Sequence, residues 1–232
     1  MPDPSQVRPM FGRIARHYDL LNWLLTAGID RRWRAAAVEA AGPLEGAVAV
    51  DACCGTGDLT LALAGAGART IGVDFTPQML TRARTKCSER RFMQGDALKL
   101  PVADGRADVS TVAFGIRNVA DRLEGLREMT RVVRPGGRVV VLELSTPPGA
   151  VLGGLYRLYF TRILPLIGKL ISGDGGAYRY LPETVLAWPK PEEFAREMAQ
   201  AGLVDVEYRL LTRGICALHV GRRPQMAEVV QA

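Results

Sequence analysis

Histidine is almost missing from this chain, cysteine is scarce, and aromatic residues make up only 6% of it. With His17 and His219 alone, a histidine-rich metal centre is not expected, and no metal is. The four cysteines (Cys53, Cys54, Cys87 and Cys216) form no C-x-x-C pair, and two are adjacent, so neither a zinc site nor a disulfide framework is suggested. The amino-terminal stretch "MPDPSQVRPMFGRIARHYD" has no apolar core followed by a small-residue cleavage site, so a cytoplasmic address is expected. Also missing is an uncharged apolar run of the roughly 20 residues needed to span a bilayer. The nearest approach, residues 150–171, is interrupted by Arg157, Arg162, Pro165 and Lys169.

What is present is ordinary globular material: 232 residues, 48% of them hydrophobic, enough for one domain with one sizeable core. Thirty Lys and Arg against 24 Asp and Glu leave a net charge of +6. That excess permits attraction to nucleic acid or to an anionic membrane face, but no long run concentrates it. "RTKCSERR" (84–91) reads as a solvated helix end. There is no internal repeat, and residues 1–9 and 223–232 read as tails.

Short apolar runs alternate with helical patterns. "AVAVD" (47–51) enters a glycine turn, and "DLTLALAGAG" then carries helical periodicity to Gly65. "RTIGVD" (69–74) is a second strand. Thr76 and Pro77 open a helix that turns Met79, Leu80 and Ala83 inward, with proline in the first turn where its missing N–H costs nothing. "RFMQGD" and "DVSTVAF" follow as strands and "RLEGLREMTRVV" as an amphipathic helix; "RPGG" then punctuates the chain before "RVVVLEL". This alternation implies crossover connections and a doubly wound, mostly parallel α/β sheet. "LVDVEYRLL" and "ICALHVG", separated by "TRG", suggest a closing antiparallel hairpin. The expected organisation is a single domain with amino-terminal lid helices (1–45), a cofactor-binding core (46–145), a helical substrate- or membrane-facing insertion (146–200) and the hairpin (201–222).

The loop "DACCGTGD" (51–58) lacks the third glycine of a dinucleotide fingerprint: Gly55, Thr56, Gly57, Asp58, Leu59 and Thr60 stand in sequence. Asp58 falls at a helix amino terminus, where a carboxylate repels a pyrophosphate. A zwitterion with a cationic centre is better suited. Asp74 ends the second strand, where an acid accepts hydrogen bonds from ribose hydroxyls, and Asp96 ends the third, within reach of an adenine amine. Asp51 ends the first; it either attracts the ammonium group of the ligand or satisfies backbone N–H groups of the loop.

The segments "DACCGTGD", "GVDFTPQML", "GDALKLPVADGRAD", "FGIRNV" and "RVVRPGGRVVVLELS" together resemble the class I S-adenosylmethionine-dependent methyltransferases. More narrowly, with "FGRIARHYDLLNWLLTAGIDRRWR" and "YRYLPETVLAWP", the chain is similar to the ubiquinone/menaquinone biosynthesis C-methyltransferases, the demethylmenaquinone methyltransferase group. The resemblance implies a seven-stranded sheet with its last strand antiparallel and S-adenosylmethionine as cofactor. It assigns Gly55, Thr56 and Gly57 to the cofactor loop, Asp74 to the ribose, Asp96 and Ala97 to the adenine, and places Met79 and Ala113 beside them. Ala113 is a departure, because the family often carries serine before "FG".

The reaction so implied is transfer of a methyl group to a ring carbon of a prenylated quinol, most readily demethylmenaquinol. Carbon becomes nucleophilic when the adjacent phenol ionises, and for a pKa of about 10 full ionisation at neutral pH asks for roughly 4 kcal/mol of anion stabilisation. Arg117, too basic to act directly as a base, is expected either to stabilise the developing phenolate or to orient a water, and Asn118 to hold a quinol oxygen. The resemblance carries Tyr18 over as a lid residue, and His17 more weakly. The apolar spacing of residues 150–171 reads either as a helix hairpin packed on its own core or as a surface that collects the prenyl tail from the inner face of the cell membrane. Left open are another small or lipidic acceptor (a sterol or an amine), a non-catalytic S-adenosylmethionine binder, and a homodimer. A nucleic-acid substrate is not expected, since no N-P-P-[YF]-like tetrapeptide occurs.

Overall fold

The computed structural model describes residues 3–16, 18–87, 92–163 and 177–225. His17, the end of the "RTKCSERR" stretch, the second half of the 150–171 segment and residues 226–232 lie outside the described residues.

Seven strands form one sheet in the order β3-β2-β1-β4-β5-β7-β6. They are β1 (Val48–Ala52), β2 (Arg69–Asp74), β3 (Phe92–Gln94), β4 (Ala107–Ala113), β5 (Val133–Leu144), β6 (Val204–Leu211) and β7 (Cys216–Arg222). The pairings among β1 to β5 are parallel, and β7 runs antiparallel to both β5 and β6. The chain steps outward from β1 through β2 to β3, then returns to the other side of β1 as β4. That reversal opens a crevice beyond the carboxyl ends of β1 and β4, which is where ligands bind in such sheets.

The central strands are apolar on both faces because helices cover both. Val50 and Ala52 of β1, with Val139 and Val141 of β5, pack against Leu126 and Met129 of α6 (Arg122–Val132) and against Phe194 and Met198 of α9 (Pro191–Gln200). The intervening residues Ala49, Val140 and Leu142 face Trp33 and Ala37 of α3 (Asp30–Ala40) and Leu59 and Leu63 of α4 (Asp58–Gly65). Each fully buried Leu or Val contributes roughly 1.5–3 kcal/mol, so this two-sided core fixes the frame on which the loops stand. On α5 (Pro77–Lys86), Leu80 and Ala83 close on Phe92 of β3.

Three expectations change. The amino-terminal "tail" is a helix, α1 (Pro4–Ile14), whose start is capped by the Asp3 side chain accepting from Ser5 N–H at 2.9 Å and whose Val7 is buried. "RPGG" does not separate helix from strand: β5 already begins at Val133, and the register jumps from Ala107–Val133 to Val109–Arg138, so Arg134 to Gly137 form a bulge inside the strand. At the other end, Arg223 is no tail residue; its guanidinium donates to the carbonyls of Arg131 and Val133, at 2.8 and 2.6 Å, where α6 runs out of intrahelical partners. In the insertion, α7 (Ala150–Leu158) gives way to a π-helical turn at Tyr159–Ile163, and α8 (Ala177–Leu186) returns. No helix among the described residues is long and apolar enough to cross a membrane.

Candidate active site

Two cavities meet at the switch point. The smaller is lined by Asp51, Cys53, Gly55, Thr56, Asp58, Ala113 and Phe114 from the ends of β1 and β4 and the glycine loop, with Tyr18 and Arg34 above. The larger, about 180 Å³, lies between α1, the helix α2 (Tyr18–Thr26), α7 and α8. Its walls are mainly apolar (Phe11, Leu25, Trp33, Leu181, Ile215), with Asp30, Arg34 and Arg117 the charged residues among them. Tyr18, Arg34 and Phe114 line both, so what sits in one is separated from the other by a single layer of side chains.

The glycine loop is built by its carboxylates. Asp74 accepts from Gly55 N–H at 2.9 Å and from Thr76 N–H at 2.8 Å, tying the loop after β1 to the loop after β2. Asp51 is buried, and its two oxygens accept from the hydroxyls of Thr60 at 2.6 Å and Thr111 at 2.8 Å. Burial pushes its carboxyl up to about 6 in spite of these bonds. Gly57 caps α4 with φ +84°, and a Cβ there would lie 2.7 Å from Phe92 Cζ, so only glycine fits. Burial also raises the Cys53 thiol, and the charges that raise it further are Asp74, Asp51, Asp96 and Glu143, in that order. Carboxylates thus gather around the floor of the crevice, an environment suited to a cation.

Asp58 does not contribute as its position in sequence suggested. Its carboxylate meets Lys86 Nζ at 2.6 Å and Arg34 Nη2 at 3.4 Å, so two cations offset it. Thr56, also buried, donates its hydroxyl to Asp19 of α2 at 2.6 Å, and Lys86 reaches Asp19 at 2.8 Å. These contacts bind α2 directly to the glycine loop.

The structure brings Tyr18, Asp51, Gly55, Thr56 and Ala113 to one cavity and Arg117 to the adjoining one. Asp96 stands at the exposed end of β3, accepting from Leu98 N–H at 2.9 Å, with Ala97 buried behind it. Met79 lines neither cavity; it lies in the core of α5, 2% exposed, because the inward face of that helix is the packed one. Asn118 donates weakly to the Phe114 carbonyl at 3.5 Å, and its Oδ1 is buried with no partner.

Sequence reasoning missed Glu143 and Arg34. Glu143 is fully buried near the end of β5 and forms an ion pair with Arg117, while also accepting from Leu144 N–H at 2.8 Å. Burial raises its carboxyl, and the Arg117 guanidinium works against that rise. Arg117 Nη1 donates in addition to the Phe114 carbonyl at 2.8 Å. The signal was available: an acid inside the apolar run "VVVLEL" must be paired to be buried. Arg34 pairs with Asp30 on its own helix and stacks 5.7 Å over the Phe114 ring. Phe114 itself holds φ +57°, the strained turn that swings the chain from β4 to the 3-10 turn Ile116–Asn118 and aims Arg117 back at the site.

A doubly wound sheet with one reversed strand and a negatively charged crevice at its switch point is the class I S-adenosylmethionine-dependent methyltransferase architecture. A solved Thermotoga maritima protein, described as a SAM-dependent methyltransferase and possible histamine N-methyltransferase, superposes with a TM-score of 0.66 over 93% of this chain and 99% of its own, at 20% identity. The chain belongs to the ubiE/COQ5 methyltransferase family, whose model matches residues 2–223. It is 51% identical to the demethylmenaquinone methyltransferase of Thermus thermophilus over 93% of this chain and 100% of that one. To the ubiquinone/menaquinone biosynthesis C-methyltransferase UbiE of a Geobacter species it is 45% identical, over 94% and 97%. Its cofactor is S-adenosylmethionine, and the carboxylate-rich floor and glycine-only turn fit that group.

Proposed function

We propose that the protein methylates a ring carbon of a prenylated quinol, with demethylmenaquinol as its acceptor and menaquinol as product. The observation that carries this reading is the mainly apolar cavity with a buried arginine in its wall, one side-chain layer from the glycine loop. A flat hydrocarbon ring suits such a cavity, with one ring oxygen at Arg117.

When bound, S-adenosylmethionine supplies an electrophilic methyl group on a positively charged sulfur. Asp51 attracts the ammonium end, the loop Gly55, Thr56 and Gly57 shapes the turn around it, Asp74 accepts from the ribose, and Asp96 and Ala97 border the adenine. Ala113 leaves its side of the cavity without a hydroxyl. Arg117 stabilises negative charge on the ring oxygen as its proton leaves, so that the neighbouring carbon becomes the nucleophile. Asn118 presents a carbonyl oxygen to a ring hydroxyl, and Tyr18 completes the wall that keeps water out. That carbon would take the methyl group that the cofactor supplies, and loss of its ring proton would restore aromaticity, with one proton released to solvent in all. Alignment of this kind supplies on the order of 7–11 kcal/mol.

The prenyl tail requires collection from a lipid surface, and three half-exposed apolar side chains stand on the helices around the cavity: Leu20 and Trp23 of α2 and Leu158 of α7, the last beside Arg157. Sedimentation with anionic liposomes is expected to fall for the triple variant Leu20→Ser, Trp23→Ser, Leu158→Ser; undiminished sedimentation of a folded triple variant removes membrane contact from the reading. The reaction itself is tested with methyl-labelled S-adenosylmethionine and reduced demethylmenaquinone. Label is expected in menaquinone, and a folded, cofactor-binding protein that leaves the quinol unlabelled overturns the assignment.

A further inference from the structure

The segment "RYLPE" has so far no part in the chemistry. It opens with Arg179 and Tyr180 on α8, and the Tyr180 hydroxyl is buried without a hydrogen-bond partner. Arg117 Nε is buried without one as well. Both residues line the apolar cavity, and both also line a wider groove that opens on the other side of them, past Thr184 and Trp188. Burial raises the Tyr180 phenol, and the charges that act on it are Arg117 and then Glu143.

Two unsatisfied donors on an otherwise apolar wall cost stability that a phenylalanine and a closed ion pair would not. The ring of Tyr180 already packs with Met10 and Ile14 of α1, so its packing needs no hydroxyl. Donors left open in the free protein on two residues that line the same cavity suit the stabilisation of an oxygen as charge develops on it.

We propose that Tyr180 is a second donor, beside Arg117, to the ring oxygen of the phenolic substrate. This rests on the quinol reading given above and adds to it a residue that touches the reacting ring. The neutral hydroxyl is the working form. The charged and titratable groups around it are Arg117 from the 3-10 turn after β4, Glu143 from β5, Tyr18 from α2, and Glu183 in the adjoining groove on its own helix.

The test is Tyr180→Phe in the full chain. Its melting temperature is expected to be unchanged or raised, since only an unpaired hydroxyl is lost, and its affinity for S-adenosylmethionine unchanged. Its kcat on the quinol is expected to fall roughly 10- to 100-fold, and the acidic limb of the kcat profile to move up by about one pH unit, because the phenol then ionises less readily. A purely structural tyrosine would move stability and leave that limb in place. Binding of 1-naphthol, followed by its naphtholate fluorescence, gives an independent measure. Its ionisation is expected at lower pH on the wild type than in water, and part of that shift is expected to vanish in the variant. Equal naphthol ionisation on both proteins, an unmoved acidic limb, or no naphthol binding to the wild type overturns the assignment of Tyr180. Should the phenylalanine variant not fold, Tyr180→Met serves the same comparison. A wild type that methylates no quinol refutes the underlying reading instead, and the naphthol titration still decides on Tyr180.

Discussion

Replacing Asp51 with asparagine should separate what the site costs the fold from what it gives the ligand. Asp51 is 1% exposed and its carboxyl is pushed from the ordinary 3.8 up to about 6, with burial the largest cause. A rise of roughly two pH units corresponds to about 3 kcal/mol. The sign follows from proton counts: between about 4 and 6 the folded protein still holds a proton that the unfolded chain has released, so stability contributed by this group falls as pH rises through that window. Above about 6 the penalty is constant. Asparagine keeps the shape and can still bond the hydroxyls of Thr60 and Thr111, but it does not titrate. The difference in unfolding free energy between variant and wild type should therefore grow by about 3 kcal/mol in favour of the variant from pH 4 to pH 7, beyond any constant offset. Urea titrations at half-unit pH steps measure it. If Asp51 attracts the ammonium group as proposed, the same variant loses a charge-assisted partner worth about 1.5–3 kcal/mol, and calorimetry should show S-adenosylmethionine bound roughly 10- to 150-fold more weakly. A stability difference that is flat across that pH range refutes the argument, since it would mean that burial places no penalty on the ionised carboxylate.

Removing Arg117 while leaving Glu143 strands a fully buried acid: Arg117→Met should cost about 3–5 kcal/mol of stability, and Arg117→Met/Glu143→Leu should recover most of it. Neither should recover the roughly thousandfold loss in kcat expected from about 4 kcal/mol of lost phenolate stabilisation; denaturation and steady-state assays on the two variants decide. Gly57→Ala meets both a left-handed φ of +84° and the Phe92 ring at 2.7 Å, whereas at Gly55, with φ +55°, a Cβ meets nothing within 4 Å. Chemical denaturation should find Gly57→Ala the worse of the two by at least about 1 kcal/mol. Asp19→Ala removes the acceptor of Thr56 and one of the two partners of Lys86, freeing α2 from the glycine loop, and stopped-flow binding should show S-adenosylmethionine both entering and leaving faster.

The sheet was legible because its strands carry their own boundaries. β2 ends at Asp74 as its acid and following Thr-Pro indicate, and α4 stops at Gly65 as its periodicity does. The bulge in β5 was not, because glycine and proline mark a break in regular structure without saying whether a strand ends or only buckles. For the site, an acid at a strand end announces a place in the crevice, but not its partner. Asp58 shows this most clearly: its repulsive role in sequence is cancelled by Lys86, 28 residues on, and by Arg34 on a different helix. Met79 shows the converse, an inward-facing residue whose inside is the core. Glu143 and Tyr180 depend on contacts between segments far apart in the chain, Arg117 standing 26 residues from the one, and periodicity carries no such information.

The two cavities differ in charge, and that difference organises the chemistry. On the glycine-loop side, Asp51, Asp74 and Asp96 leave a negative floor, while the nearby cations Arg34 and Lys86 are occupied by Asp30, Asp19 and Asp58. On the apolar side, Asp30 and Arg34 in the wall pair with each other, and the remaining charge among the lining residues is Arg117, which Glu143 behind it compensates in the resting protein. Compensation matters because an unpaired guanidinium in an apolar wall would be costly to bury and would hold an ionised ligand too firmly to release it. With Glu143 in place, the cavity is close to neutral for a neutral quinol and becomes favourable only as negative charge appears at the ring oxygen. Stabilisation that grows with the developing charge raises kcat, whereas equal affinity for both forms of the substrate would only lower KM.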